Sequence, residues 1–322
     1  MTLILAITTA LVFAFTFLPL LPSQHWAVRV WEFPRLQILF LSLLNLTALL
    51  YVYAGAVEFV LASVSLLCIA YQAYWVVPFS QLFPKEVKTA YRCPGCKKIS
   101  VLTSNVLMPN RSSNKLIDLV LEHSPDILVT LESDEWWENA LEELHDDYPY
   151  RVPVPKGNLY GMHVYSKLEL RDVEVSYLVE EDVPSVSCKA MLNEDFGVHC
   201  YFVHPAPPSP TENDTAKPRD IELLKIAEQV EPDKYPTIVT GDLNDVAWSP
   251  TTRKFKQVSG LKDPRVGRAF LNTFHVKYPI ARWPLDHIFH SHHFSVSYIG
   301  RLPSIDSDHF PLLSELIIEA DD

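Results

Sequence analysis

Thr237-Ile-Val-Thr-Gly-Asp-Leu-Asn-Asp245 is an apolar run of strand length that stops at an acid–amide pair, Asp242 and Asn244. Its β-branched residues favour a buried, extended conformation. Side chains two apart on a strand point to one side, so both polar groups are expected to converge beyond the strand end. A carboxylate that polarises water and an amide that holds a phosphate oxygen are what phosphoester hydrolysis requires. Gly-Asp is also an ordinary turn sequence, and the stretch takes its meaning from its neighbours.

Strand and helix patterns alternate on both sides of it. Strands are expected at 101–107, 126–131, 161–166, 172–178, 185–191, 197–203, 286–290, 294–300 and 311–318, and helices at 114–123, 136–144 and 219–229. The stretch between Asp245 and Asp286 is expected to be rich in loops. The proline-rich segment 205–210 and the acidic segment after it predict a surface loop at a site mouth. Helices interspersed among many strands predict α/β layers around a two-sheet core.

Six strand ends carry polar groups that a packed strand does not need. Asn105 closes the first strand, Glu132 the second, and His204 follows Tyr201-Phe-Val203. Asp242 and Asn244 close the stretch quoted above. Asp286 precedes Ile288-Phe289, and Asp308-His309 precedes the terminal strand. Singly, each has a structural explanation: a turn for Asn105, a loop position for His204, a helix cap for Glu132 or Asp308. Their joint occurrence at strand ends of one alternating pattern favours a common site. His287, His290, His292 and His293 fit exposed positions better than a metal cluster. Tyr160, His163, Trp248, Arg253, Thr273 and Phe274 fall between the motifs, where packing competes with a cleft-lining role.

The ordered set Thr103-Ser-Asn105, Pro125-Asp-Ile-Leu-Val-Thr-Leu-Glu132, segment 161–170, Val203-His204, Gly241-Asp-Leu-Asn244, Leu285-Asp-His-Ile-Phe289 and Ser307-Asp-His309 resembles the endonuclease/exonuclease/phosphatase superfamily of metal-dependent phosphoesterases. The resemblance spans about 99–319 and implies a four-layer α/β sandwich, two packed β-sheets flanked by helices. It further implies that Glu132, with Asn105 and Asp308 nearby, holds a divalent cation. Mg²⁺ is the expected ion and Mn²⁺ the alternative, since Mg²⁺ takes one or two carboxylates and leaves positions for substrate phosphate. Asp242 would aim or deprotonate the attacking water, and Asn244 and His204 would contact phosphate. His309 would stabilise the developing charge or protonate the leaving oxygen, with Asp286 fixing its tautomer. Two departures stand out: Asn105 has no acidic partner in its own motif, and Val203 stands where many members carry Asn.

The N-terminal quarter differs in kind. Residues 1–79 contain no Lys, and Arg29, Glu32, Arg35 and Glu58 are their only charged side chains. Apolar runs near 3–21, 37–55 and 57–79 each approach the ~20 residues that cross a bilayer as a helix. The division expected is a three-helix transmembrane region over 1–79, a juxtamembrane linker over 80–98 and a catalytic domain over 99–322. Such a chain resembles a bacterial membrane-anchored branch of the superfamily, a multi-pass protein of the inner membrane. Basic residues of the 22–36 loop and the linker favour a cytoplasmic domain by the positive-inside rule. Disulfides at Cys93/Cys96 and Cys188/Cys200 would favour an oxidising compartment instead.

Charge narrows the substrate. Beyond residue 97 there are 21 Lys and Arg against 36 Asp and Glu. Non-specific grip on nucleic acid rests on basic neutralisation of phosphates, and no basic stripe is present. The expected partners are therefore a phosphate ester of a lipid or small molecule, and the lipid bilayer. A nuclease acting on DNA or RNA is the first alternative, and a catalytically silent membrane interaction protein the second. No protein partner is legible.

Overall fold

A computed structural model describes residues 1–52, 55–90 and 95–318. Three apolar helices, α1 (Thr2–Phe17), α3 (Arg35–Tyr51) and α4 (Ala56–Val76), precede the mixed α/β part, with the short α2 (Trp26–Arg29) between the first two. The segments Thr2–Leu20 and Ala56–Phe79 are long and apolar enough to cross a membrane. A third crossing requires counting Trp26–Glu32 and Arg35–Tyr51 together across a 67° bend. Part of the expected second span, residues 53 and 54, lies outside the described residues. Polar rungs join the three helices: Asn45 donates to Thr9 Oγ1 (2.7 Å) and Ser65 Oγ (3.0 Å), and Gln72 to Thr16 Oγ1 (3.1 Å). Buried side-chain hydrogen bonds of this kind hold helices together where hydrocarbon gives no driving force.

The remaining elements form two sheets. The first contains β1 (Lys97–Asn105), β2 (Ile127–Leu131), β3 (Tyr150–Val154), β4 (Met162–Ser166), β10 (Phe294–Arg301) and β11 (Leu312–Ile318), in the order β10-β11-β1-β2-β4-β3. The second runs β5-β6-β7-β8-β9, from β5 (Glu169–Ser176), β6 (Ser185–Met191), β7 (Gly197–Val203), β8 (Thr237–Asp242) and β9 (Asp286–His290). The pairs β1/β2 and β7/β8 are parallel. Parallel neighbours need a crossover, supplied by α5 (Ser113–His123) and α7 (Lys217–Gln229).

Alternation along the strands sorts side chains into layers. Val101, Val129, Phe202 and Ile238 point between the sheets. Leu102 and Leu128 face outward onto Leu116 and Val120 of α5, while Val239 and Phe289 face Leu223 of α7 and Phe255 of α8 (Pro250–Ser259). The result is the four-layer sandwich. At its centre Thr103 and Thr240 share a hydrogen bond across the two sheets (2.8 Å). Two residues further along, on the same inward faces, stand Asn105 and Asp242.

Several sequence expectations need correction. The stretch expected to be loop contains α8, whose Ser249 side chain accepts the Thr252 N–H, with Pro250 in its first turn and Gly260 left-handed at its end. Strand β3 was not expected because Pro153 interrupts its pattern; as a sheet edge it tolerates that proline. The helix expected over 136–144 divides into α6 (Glu135–Ala140) and a 3₁₀ turn (Glu142–Leu144). His287 and His290 are fully buried, not exposed: His287 lies beside Arg265 (2.6 Å) and the Asp245 carbonyl (2.9 Å). Cys188 and Cys200 are opposed in the β6/β7 ladder, yet both are free thiols. Cys96 is disulfide-bonded, and Cys93 lies outside the described residues.

The α/β part sits directly on the helices. Trp248 donates its indole N–H to the Glu32 carbonyl (2.9 Å), Arg29 bonds Thr251 Oγ1 (3.1 Å), and Arg253 bonds the Tyr74 carbonyl (3.1 Å). A main-chain bond from Trp26 N–H to the Asp214 carbonyl (2.9 Å) joins the segment after α1 to the loop before α7.

Candidate active site

The ends of β1, β2, β8 and β9 and the segment before β11 meet above the Thr103–Thr240 bond. At the end of β8, Gly241 is required by close packing: a Cβ there would sit 1.8 Å from the Val203 carbonyl oxygen of β7. That approach puts Asp242, fully buried, under the pocket. One of its oxygens, Oδ1, accepts the Asn244 backbone N–H (2.9 Å); the other, Oδ2, accepts the Asn105 amide (3.1 Å) and lies 3.4 Å from His309 Nε2.

His309 is held on its other side by Asp286, with Nδ1 to Oδ2 at 2.7 Å. Thr273 Oγ1 accepts the Asp286 N–H (3.2 Å) and fixes the head of β9. Burial disfavours a charged ring at His309. Asp286 and then Asp242 outweigh it, and the pKa is pushed up to about 10. The ring is thus an imidazolium at neutral pH, and Asp242, buried but facing that charge, is held below the usual carboxylate range. His204 lies 3.9 Å from Asp242 Oδ2, with no partner for its Nδ1 among the described residues. Its burial lowers the pKa and keeps it neutral.

Glu132 follows β2 in a left-handed conformation (φ 57°). It does not cap α6; Asp134 does, accepting the Trp137 N–H (3.0 Å). Glu132 Oε1 accepts the Asn105 amide (2.7 Å), while Oε2 is buried without a partner among the described residues. Burial raises its pKa to about 7. Asn105 turns its N–H groups to the two carboxylates and its oxygen to the Leu107 N–H (3.1 Å). Asp308 is half-buried, takes a bond from the Ser307 hydroxyl (3.3 Å), and shares a cavity with Glu132, Asp242, Asn244, His204 and His309.

Asn244 departs from the expected geometry. The strand ends at Asp242 and the chain turns left-handed at Asn244 (φ 50°), so period-two alternation does not carry across. Its side-chain amide donates to the Pro205 carbonyl (3.0 Å). Arg219 grips the same loop, bonding the Asn244 carbonyl (2.8 Å) and facing Asp245 (3.4 Å); no motif in the sequence pointed to it. Of the loop residues singled out as cleft candidates, Tyr160 and Phe274 line the cavity, and His163, Trp248, Arg253 and Thr273 do not. Trp31, Phe33 and Trp283, absent from the sequence reading, do line it.

Two facing sheets thus carry an acid–imidazole–acid chain, from Asp242 at the end of β8 through His309 before β11 to Asp286 at the head of β9. The chain belongs to the endonuclease/exonuclease/phosphatase family, whose model matches residues 102–309; members hydrolyse phosphoester bonds with a divalent metal. No curated protein shows a significant match to the sequence. Among solved structures, an endonuclease/exonuclease/phosphatase family protein from Bacteroides thetaiotaomicron is similar at TM-score 0.56 and 19% identity, over 71% of this chain and 100% of that one. D. rerio TDP2 complexed with a single-strand DNA product is similar at 0.57 and 13% identity, over 68% and 98%. The human Nocturnin catalytic domain with bound sulfate is similar at 0.53 and 17% identity, over 70% and 96%. At these identities the likeness is one of fold.

Proposed function

We propose that the protein is a membrane-anchored phosphoesterase that uses a divalent cation, Mg²⁺ or Mn²⁺, to drive water onto phosphorus. The observation that carries this reading is the convergence of Glu132, Asp242, Asn244, His204 and His309 on one cavity of about 670 Å³, with Asp286 bonded behind His309. The chain divides into an anchor over 1–79, a linker over 80–98 and the catalytic part beyond. Basic residues flanking the helices favour a cytoplasmic catalytic part; a C-terminal fluorescent-protein fusion should then glow while an alkaline phosphatase fusion stays inactive.

The residues present fit a hard cation. Glu132 has a buried, unpartnered oxygen, and Asp308 lines the same cavity. Asp242, Asp286 and His309 also offer ligand atoms within 4.8 Å of one another. In that trio, however, the imidazolium already offsets one of the two carboxylate charges, whereas Glu132, which lines the cavity, has an oxygen with no hydrogen-bond partner among the described residues. Glu132 and Asp308 would hold the ion, with Asn105 tying Glu132 to Asp242. When bound, it supplies charge neutralisation and polarisation of a phosphoryl oxygen.

The protein groups do the rest. Phosphodiesters resist water because their charge repels nucleophiles, so a catalyst must spread charge and aim the water. Asp242 orients the water and receives its proton as the new P–O bond forms. His309 delivers its Nε2 proton to the leaving oxygen as the old P–O bond breaks, and Asp286 stabilises the ring. His204 and Asn244 contact the non-bridging oxygens. The full chain in detergent is expected to hydrolyse bis(p-nitrophenyl) phosphate with Mg²⁺ or Mn²⁺, to stop with EDTA and to recover on re-addition. Absence of turnover with either ion would sink the reading.

The pH profile follows from the two shifted groups. Glu132 must be ionised to hold the ion, so metal affinity rises as pH climbs through about 7. His309 must be protonated, so activity falls as pH rises through about 10. The Asp286–His309 pair also contributes stability that is fully present below the ring's ordinary value of 6.5 and lost as pH rises through about 10. Asp286→Asn removes the ring's main counter-charge. Its alkaline limb should move to lower pH in a pH–kcat profile, whereas an unmoved limb would separate His309 from that limb.

A further inference from the structure

The cavity over the site is not closed by the α/β part alone. Trp26, Val30, Trp31, Phe33 and Pro34, from the segment between the first two long helices, form one of its walls. Leu159, Pro207, Pro208 and Trp283 also line it, and Glu132, Asp242 and His309 reach the same space. The wall is tied to both parts of the molecule. Trp31 stacks on Phe15 of α1 (centroids 3.7 Å apart), Arg29 pairs with Glu32 (3.1 Å), and Trp248 bonds the Glu32 carbonyl. Leu20 and Leu21, which follow α1, are exposed. No Lys or Arg lines the cavity among the described residues.

We propose that the substrate is an amphiphile: a phosphoester whose hydrocarbon chain lies along Trp26, Val30, Trp31 and Phe33 while its phosphorus sits at His309 and Asp242. The inference rests on the phosphoesterase reading above and adds the chemical class of the substrate. Aromatic walls also stack nucleobases, but sites of that kind pair their rings with a cationic groove that follows the backbone, and this cavity has no such cations. A sugar or inositol phosphate can stack a C–H face on one ring, but its hydroxyls would find few polar partners along Trp26, Val30, Trp31 and Phe33. A hydrocarbon chain satisfies them, with each buried methylene adding favourable transfer. The wall belongs to the segment that joins α1 to α3, so a chain held along it lies in the part of the molecule that carries the apolar helices.

The test compares ethyl and dodecyl p-nitrophenyl phosphate, which share reacting centre and leaving group, using the full chain in a mild detergent with Mg²⁺. Wild type should favour the dodecyl ester in kcat/KM by about 100-fold. Micelles concentrate that ester equally for every variant, so the change in the dodecyl-to-ethyl ratio isolates the wall. Trp31→Ala and Val30→Asp should each cut the ratio by about ten-fold, and Trp31→Phe should retain it. Turnover of the ethyl ester by the same preparations reports a folded site. A ratio unchanged in both Trp31→Ala and Val30→Asp overturns the inference, as does equal turnover of the two esters by wild type. So does faster cleavage of a single-stranded oligonucleotide than of the dodecyl ester. An ethyl ester cleaved without chain-length preference removes this inference alone; if neither ester is cleaved with Mg²⁺ or Mn²⁺, the phosphoesterase reading falls with it.

Discussion

His309→Gln is expected to lower kcat on a phosphodiester with a poor leaving group by about 10³-fold, with little change in KM. The glutamine keeps a hydrogen-bonding side chain but carries neither the charge nor the transferable proton. His309 is poised for both tasks: it lies 2.7 Å from Asp286 and 3.4 Å from Asp242, and those carboxylates hold it protonated at neutral pH. The leaving group dissects the two roles. With p-nitrophenolate, which departs without a proton, the variant should recover much of its rate, since only charge stabilisation is then lost. Steady-state kinetics on an alkyl and a nitrophenyl diester checks this. Equal losses on both would assign His309 to electrostatics alone, and no loss on either would remove it from the site.

Glu132→Gln is expected to weaken Mn²⁺ binding by about 100-fold or more, read by titration calorimetry or electron paramagnetic resonance. The amide is isosteric, accepts the same bond from Asn105 and carries no charge. The folded state should not suffer, since the wild-type carboxylate is buried at an energetic cost that the amide avoids. Higher thermal stability without metal, together with lost activity and lost metal-induced stabilisation, would be the mark of a residue kept for ion binding. Unchanged affinity would move the cation to the Asp242, Asp286 and His309 group instead.

Much of the fold was legible because the strands obey simple alternation. The inward faces of β1 and β8 read Val101, Thr103, Asn105 and Ile238, Thr240, Asp242, while Leu102 and Val239 point outward to the helices. The sequence also signalled α8, through Ser249, Pro250 and Gly260, but its polar face obscured the periodicity. Proline hid β3, because strand rules penalise Pro153 without knowing that the strand is an edge. Within the site, pairs of residues at strand ends were legible from type and position. The bend at Asn244 was not, since a left-handed turn begins where periodicity stops. Arg219 and the 26–34 wall escaped notice because their partners are remote: Arg219 reaches Asn244 across the α7 crossover, and Trp31 reaches the cavity only after the apolar helices are docked. Local rules have no access to such neighbours.

The grip of Trp248 on the Glu32 main chain and of Arg253 on that of Tyr74 has a mechanical outcome. With the Arg29–Thr251 and Trp26–Asp214 bonds they make four fasteners at separate points, which hold the catalytic layers at one heading relative to the helical pedestal. Under the proposal that anchor and substrate both reside in a bilayer, an enzyme mounted in that way would search in two dimensions, and its throughput would follow the surface density of its reactants more closely than their bulk concentration.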